Sequence, residues 1–154
     1  MAEAREYYTR VDPYHSLWRT TVLPTPYANG LLSLLRRRRG FLLVAEVTGG
    51  PAGLVAVETV LPRRSLAPEP RSRHRLAEIL ELYVRKDFRR RGVGRALMAE
   101  AERRLRVLGY QWVQLEVLEH NRPAREFYRG LRFQTSDLRL LKALQSSGRR
   151  NRVP

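Results

Sequence analysis

The chain has 154 residues, 43% of them hydrophobic, which is enough for one domain of ordinary size. It contains no cysteine, which excludes a disulfide framework, a thiolate metal site and a cysteine nucleophile. Thirty basic residues against 15 acidic ones give a formal net charge of +15, which would suit an anionic partner. The basic residues are dispersed along the chain, however, and this argues against a single nucleic-acid-binding face.

Targeting and metal signals are missing from the sequence. It has no run of roughly 18 apolar residues, and its first 25 residues carry charges and proline where a signal peptide has an apolar segment. The histidines, His15, His74 and His120, lack the spacing of metal ligands. We therefore expect a cytoplasmic protein with no membrane segment and no metal.

The first half of the chain predicts a helix followed by a hairpin. Leucines at 31, 32, 34 and 35 form an apolar stripe, which indicates a helix over 27–38 after the Pro-Thr-Pro turn. "FLLVAEV" (41–47) and "AGLVAVETV" (52–60) flank two glycines and predict a β-hairpin. The remaining segments are predicted as a strand (4–11), a short helix (13–22) and a loop rich in proline and arginine (62–75).

The second half alternates strands and helices. It predicts strands over 76–84 and 111–119, an amphipathic helix from the glycines near 92 to Gly109, and a final strand or hairpin over 133–144. Asn121 suits the N-cap of a further helix. This order indicates one α/β or α+β domain over 1–144, with helices covering a sheet, and a flexible basic tail over 145–154.

The turn between the strand at 76–84 and the following helix reads Arg89-Arg-Arg-Gly-Val-Gly94. The unpaired N–H groups and positive dipole of a helix start form an anion site, and glycines let a phosphate approach the backbone. The turn lacks the third glycine of the dinucleotide fingerprint and the Gly-Lys-Ser/Thr of a P-loop. It is either a phosphate cradle of another type or a glycine turn with solvated arginines.

Two motifs resemble the GNAT superfamily of N-acetyltransferases. Residues 89–94 match the family's Arg/Gln-x-x-Gly-x-Gly/Ala signature, and residues 121–133 are similar to its Asn-x-x-Ala-x-x-Phe-Tyr-x-x-x-Gly-Phe helix. The resemblance covers roughly 27–144 and is weak before 24. It implies a mixed, mostly antiparallel sheet that splays at the cofactor site. One departure is Arg132, which stands where the family has glycine; in a left-handed helix cap it would cost about 1 kcal/mol.

The resemblance implies acetyl-coenzyme A as cosubstrate. The strand at 76–84 would offer backbone groups to pantetheine, the turn would bind the pyrophosphate, and an asparagine would contact the cofactor. The residues assigned to these roles are Leu82, Tyr83, Val84, Arg89, Arg90, Arg91, Gly92, Val93, Gly94, Arg95 and Asn121.

The resemblance also implies a general base and a general acid. A glutamate on the strand before the signature commonly serves as base: Glu78, eleven residues before Arg89, has a spacing found in that role, and Glu81 is the other candidate. Three residues apart, they face opposite sides of a regular strand, so only one should meet the substrate unless a bulge intervenes. Tyr128 matches the tyrosine that protonates the coenzyme A thiolate. Without cysteine, we expect direct transfer to an amine in a ternary complex.

Two other readings stay open. A basic module that binds nucleic acid or an acidic protein would explain the charge, although the chain has no nucleic-acid motif. A degenerate family member would bind acetyl-coenzyme A without catalysis. The acceptor amine is unspecified, although the arginine surplus disfavours small polyamines. The resemblance also allows a homodimer, because family members often pair through their sheets.

Overall fold

The computed structural model describes residues 24–47, 49–60, 75–138 and 140. Within these ranges the chain forms α1 (Pro24–Arg37), β1 (Phe41–Val47), β2 (Gly50–Val60), β3 (Leu76–Val84), a 3-10 turn (Lys86–Phe88), α2 (Val93–Val107), β4 (Trp112–Leu115) and α3 (Arg122–Arg129). The strands lie in the order β1-β2-β3-β4; the first two pairings are antiparallel and the last is parallel. This mixed, mostly antiparallel sheet with helices confirms the predicted fold class.

Several predicted segments lie outside the described residues: the strand over 4–11, the helix over 13–22, the loop over 62–74 and the tail over 145–154. Some predicted boundaries differ from the structure, and one predicted strand is absent where the structure describes it. The first helix begins at Pro24, because prolines are tolerated in a first helical turn. β4 ends at Leu115 instead of 119, where its pairing with β3 stops. Residues 133–138 form no strand, since no described strand pairs with them and Leu138 is 82% exposed.

The core lies between α2 and one face of the sheet. Leu97, Met98, Ala101 and Leu105 are the buried residues of α2, and they pack against Val55, Val57, Ala77 and Ile79 of β2 and β3. These strand positions alternate with others that face the opposite side. α1 covers that second face, where its Leu31 and Leu34 lie beside Leu80 of β3.

The three helices end in the same way. The N–H of Gly40, Tyr110 and Phe133 donates to the carbonyl five residues earlier, which is the outer bond of a Schellman motif. The residue before each donor has a positive φ: 52° at Arg39, 79° at Gly109 and 69° at Arg132. The Arg132 position is therefore a left-handed cap occupied by a side chain that disfavours it.

Candidate active site

The sheet opens between β3 and β4. Their parallel pairing runs from Leu76↔Trp112 to Ile79↔Leu115 and then stops, while β3 continues to Val84 against β2. Residues 82–84 of β3, which are the predicted contacts for pantetheine, therefore pair with no described strand on the β4 side. An extended ligand can add to such an edge as a strand would.

A β-bulge lies where the opening begins. Val57 pairs with Ile79 and Ala56 with Glu81, which leaves Leu80 as an extra residue in β3. Glu78 pairs with Glu58, two residues from Ala56 on β2. Glu78 and Glu81 therefore lie on the same face of the sheet, the one covered by α1. A regular strand would place them on opposite sides; the bulge is the exception that the sequence allowed, because its extra residue brings both to one face.

The two glutamates differ in environment. Tyr27 of α1 donates a hydrogen bond to the Glu81 carboxylate. Burial raises the pKa of Glu81, and the Tyr27 hydrogen bond opposes that shift in part. Glu78 lies in the paired part of β3 and accepts a hydrogen bond from Gln114 Nε2 at 3.0 Å. Glu81 is thus the carboxylate that borders the opening.

The turn before α2 is a candidate anion cradle. Arg90 (φ 62°) and Gly92 (φ 84°) are both left-handed, an arrangement that directs nearby backbone N–H groups to one side. Gly92 is the N-cap of α2 and provides no side-chain cap, and the first turn contains no acidic residue. In the part of the chain that the structure describes, Arg90, Arg91 and Arg95 are exposed and form no ion pair. Each of these features favours an anionic ligand.

Two signature residues also hold the cradle in place. Arg89 Nε donates to the carbonyl of Val84 at 2.9 Å and so ties the turn to the end of β3. A Cβ on Gly94 would meet Phe127 Cζ at 3.4 Å and Val84 Cγ2 at 3.6 Å, whereas one on Gly92 would meet nothing within 4 Å. Gly94 thus provides space for α3, and Gly92 faces the open side of the cradle.

α3 carries the second motif. Asn121 is its N-cap, as predicted: the side chain accepts from the Ala124 N–H at 3.2 Å and the residue is 5% exposed. The Tyr128 ring packs edge-on between Phe127 and Phe133, at centroid distances of 5.2 and 5.7 Å. The Tyr128 ring is therefore fixed against the core.

A family model, that of the acetyltransferase (GNAT) family, matches residues 3–133. The chain belongs to the GNAT family of acetyltransferases. The match includes both motifs and also the N-terminal region, where the resemblance by motif was weak.

One relative in sequence and two solved structures are similar to this chain. An uncharacterised N-acetyltransferase of Methanocaldococcus jannaschii is 33% identical over 105 residues, which are 68% of this chain and 44% of that protein, so the chain spans less than half of that relative. A crystal structure of a Bacillus halodurans protein has a TM-score of 0.78 at 16% identity, covering 93% of this chain and 88% of its own. AAC(6')-Iy, solved with the bisubstrate analogue CoA-S-monomethyl-acetylneamine, has a TM-score of 0.63 at 17% identity, covering 92% of each chain.

GNAT proteins use acetyl-coenzyme A, and the cradle and the open edge of β3 fit its pyrophosphate and its extended pantetheine arm. Among the described residues, no group of three or more His, Asp or Glu side chains could hold a metal ion. No helix in the described ranges is long and apolar enough to cross a membrane.

The motifs did not identify three residues on the α1 side of this GNAT sheet: Tyr27, Glu58 and Gln114. Tyr27 and Gln114 reach the candidate bases from distant parts of the chain, so no local spacing indicates them. The sequence could have indicated the position of Glu58. It alternates with the apolar Val55 and Val57 in the hairpin, so its side chain must lie on the opposite face of the sheet.

Proposed function

We propose that this GNAT protein transfers an acetyl group from acetyl-coenzyme A to a primary amine, with both substrates bound together. The observation that carries the proposal is the opening between β3 and β4, which has the anion cradle beyond its end and Glu81 at its border. This arrangement can hold the donor along β3 and admit an amine from the α1 side. Proximity and orientation of the two reactants then supply a large part of the rate.

Glu81 is the proposed general base. An amine attacks a thioester only when its nitrogen lone pair is free, so an ammonium must first lose a proton. A partly buried carboxylate with a raised pKa is a better acceptor for that proton than an ordinary glutamate. Glu78, which is tied to Gln114 in the paired part of the sheet, is the alternative base.

Tyr128 is the proposed general acid. Acetyl-coenzyme A supplies an acetyl thioester whose carbon–sulfur bond breaks as the carbon–nitrogen bond forms. The Tyr128 hydroxyl would give its proton to the departing sulfur, and the aromatic packing with Phe127 and Phe133 would keep the ring in position. The backbone of 90–95, Asn121 and the edge of β3 would hold the rest of the donor.

Two measurements test the proposal against the alternatives. Isothermal titration with acetyl-coenzyme A should show binding, which a basic module for nucleic acid or acidic proteins would not show. Release of free thiol in the presence of mixed primary amines should then show turnover. Binding without thiol release would identify a degenerate GNAT protein and refute the proposed activity.

A further inference from the structure

Three glutamates share the acceptor face of the sheet. Glu58 on β2 pairs directly with Glu78 on β3, and Glu81 faces Ala56, two residues further along β2. Like charges that are directly opposite in a sheet destabilise it. The pair Glu58–Glu78 is therefore an unfavourable feature of the fold unless a cation lies beside it.

Within the described ranges, no basic side chain pairs with these glutamates. The Oε2 atom of Glu58 is completely buried and has no hydrogen-bond partner. The partners of Glu78 and Glu81 are the neutral side chains of Gln114 and Tyr27. The ion pairs found in the described ranges lie elsewhere, at Arg85–Asp87, Arg103–Glu100 and Arg106–Glu102.

This absence of a cation is unusual for this sequence. Lysine and arginine number 30, twice the acidic residues, yet none forms an ion pair with these three glutamates within the described part of the chain. A partly buried carboxylate whose inner oxygen has no hydrogen-bond partner is less stable than one that is paired with a cation. A positively charged group brought by the substrate would supply that compensation.

We propose that the acceptor carries a second positive charge, which binds between Glu58 and Glu78 while its reacting amine lies at Glu81. Two residues of a strand span about 7 Å, so the two nitrogen atoms should be separated by about that distance, as in a compact aliphatic diamine. The inference rests on the proposed function, because Glu81 marks the reacting amine. It reverses the expectation that the arginine surplus disfavours small polyamines. Salt screens the repulsion from the dispersed arginines beyond about 8 Å, whereas the carboxylates would attract the cation in direct contact.

The first test compares two amines of equal chain length, 1,5-diaminopentane and pentylamine, by thiol release from acetyl-coenzyme A. The wild-type kcat/KM should favour the diamine at least tenfold, and Glu58→Gln should reduce that preference about tenfold. Glu46→Gln, at an exposed glutamate of β1, is the matched control and should keep the wild-type preference. Equal efficiency with both amines, or an unaltered preference in Glu58→Gln, would overturn the proposal.

The second test separates this inference from the proposed activity. Titration of 1,5-diaminopentane into the protein with coenzyme A requires no turnover; binding should occur, and Glu58→Gln should weaken it about tenfold. If no amine is acetylated, the proposed function fails, but diamine binding that depends on Glu58 still supports the site. A wild-type protein that does not bind the diamine refutes it.

The melting temperature separates the proposed role of Glu58 from a purely structural one. If Glu58 and Glu78 repel each other without a ligand, Glu58→Gln should raise the melting temperature of the free protein, and 1,5-diaminopentane should raise that of the wild type more than that of the variant. A lower melting temperature in Glu58→Gln, with equal shifts on adding the diamine, would show that Glu58 only supports the fold.

Discussion

The Tyr27 hydroxyl of α1 donates a hydrogen bond to the Glu81 carboxylate of β3, although the two residues are 54 positions apart. Through this bond α1, which covers this face of the sheet, affects the protonation of the proposed base. Burial raises the pKa of Glu81, while the hydrogen bond stabilises the ionised carboxylate and lowers it. The two effects together determine the pH at which the base becomes active.

Tyr27→Phe should shift the acidic limb of the pH–rate profile to higher pH. Loss of the hydrogen bond leaves desolvation unopposed, so the pKa of Glu81 rises further and the base is ionised only at higher pH. The measurement is kcat/KM against pH with one amine. A shift to lower pH would show that Tyr27 does not stabilise the ionised form.

Glu81→Gln should lower kcat by roughly 10²–10⁴-fold at neutral pH and flatten the acidic limb, because glutamine cannot accept the proton. Glu78→Gln is the matched comparison and should keep the acidic limb. If Glu78→Gln flattens the limb instead, the base lies in the paired part of β3.

Glu81→Gln should also change the pH dependence of stability. A raised folded-state pKa means that the folded protein binds this proton more tightly than the unfolded chain. Stability is therefore lost as pH rises through that pKa. Glu81→Gln should thus raise the free energy of unfolding more at neutral pH than at acidic pH, as measured by urea denaturation at both.

Tyr128→Phe should lower turnover by roughly ten- to a thousandfold, at or below the usual effect of a general acid because a thiolate already leaves readily. The phenyl ring retains the packing with Phe127 and Phe133, so the fold and the affinity for acetyl-coenzyme A should change little. Single-turnover kinetics check the acyl-transfer step. A rate equal to wild type would exclude Tyr128 as the acid.

Substitution of the two signature glycines should affect different properties, cofactor binding at Gly92 and stability at Gly94. Gly92→Val places a side chain on the open side of the cradle at a left-handed position, and should weaken acetyl-coenzyme A binding at least tenfold, or about 1.4 kcal/mol. Gly94→Val pushes into Phe127 and should instead lower the free energy of unfolding by about 1–3 kcal/mol. Titration calorimetry and thermal denaturation distinguish them; the reverse pattern would place the cradle elsewhere.

Arg132→Gly should raise the free energy of unfolding by about 1 kcal/mol, or roughly 2–4 °C in melting temperature, because glycine has no Cβ to clash in a left-handed cap. Gly109 occupies the same position at the end of α2, so Gly109→Ala should have the opposite effect. An Arg132→Gly protein less stable than the wild type would show that the arginine side chain makes a compensating contact.

Local patterns determined much of the fold. Apolar alternation in 41–60 and 76–84, helical spacing after Gly92 and the cap at Asn121 predict elements that the structure contains, because each follows from the side chains that one strand or helix presents to the core. Of the strand or hairpin predicted over 133–144, residues 133–138 form no strand, because a strand needs a partner and no described strand pairs with them.

The sequence by itself determined the family, through two motifs whose spacing reflects a local turn and a local helix. Only the tertiary structure decided how the candidate bases are arranged. The bulge at Leu80 brings Glu78 and Glu81 to one face, and strand register sets Glu58 opposite Glu78. α1, which covers that face, adds the Tyr27 hydroxyl. These contacts join residues far apart in the chain, and a one-residue change of register moves a side chain to the other face of a sheet.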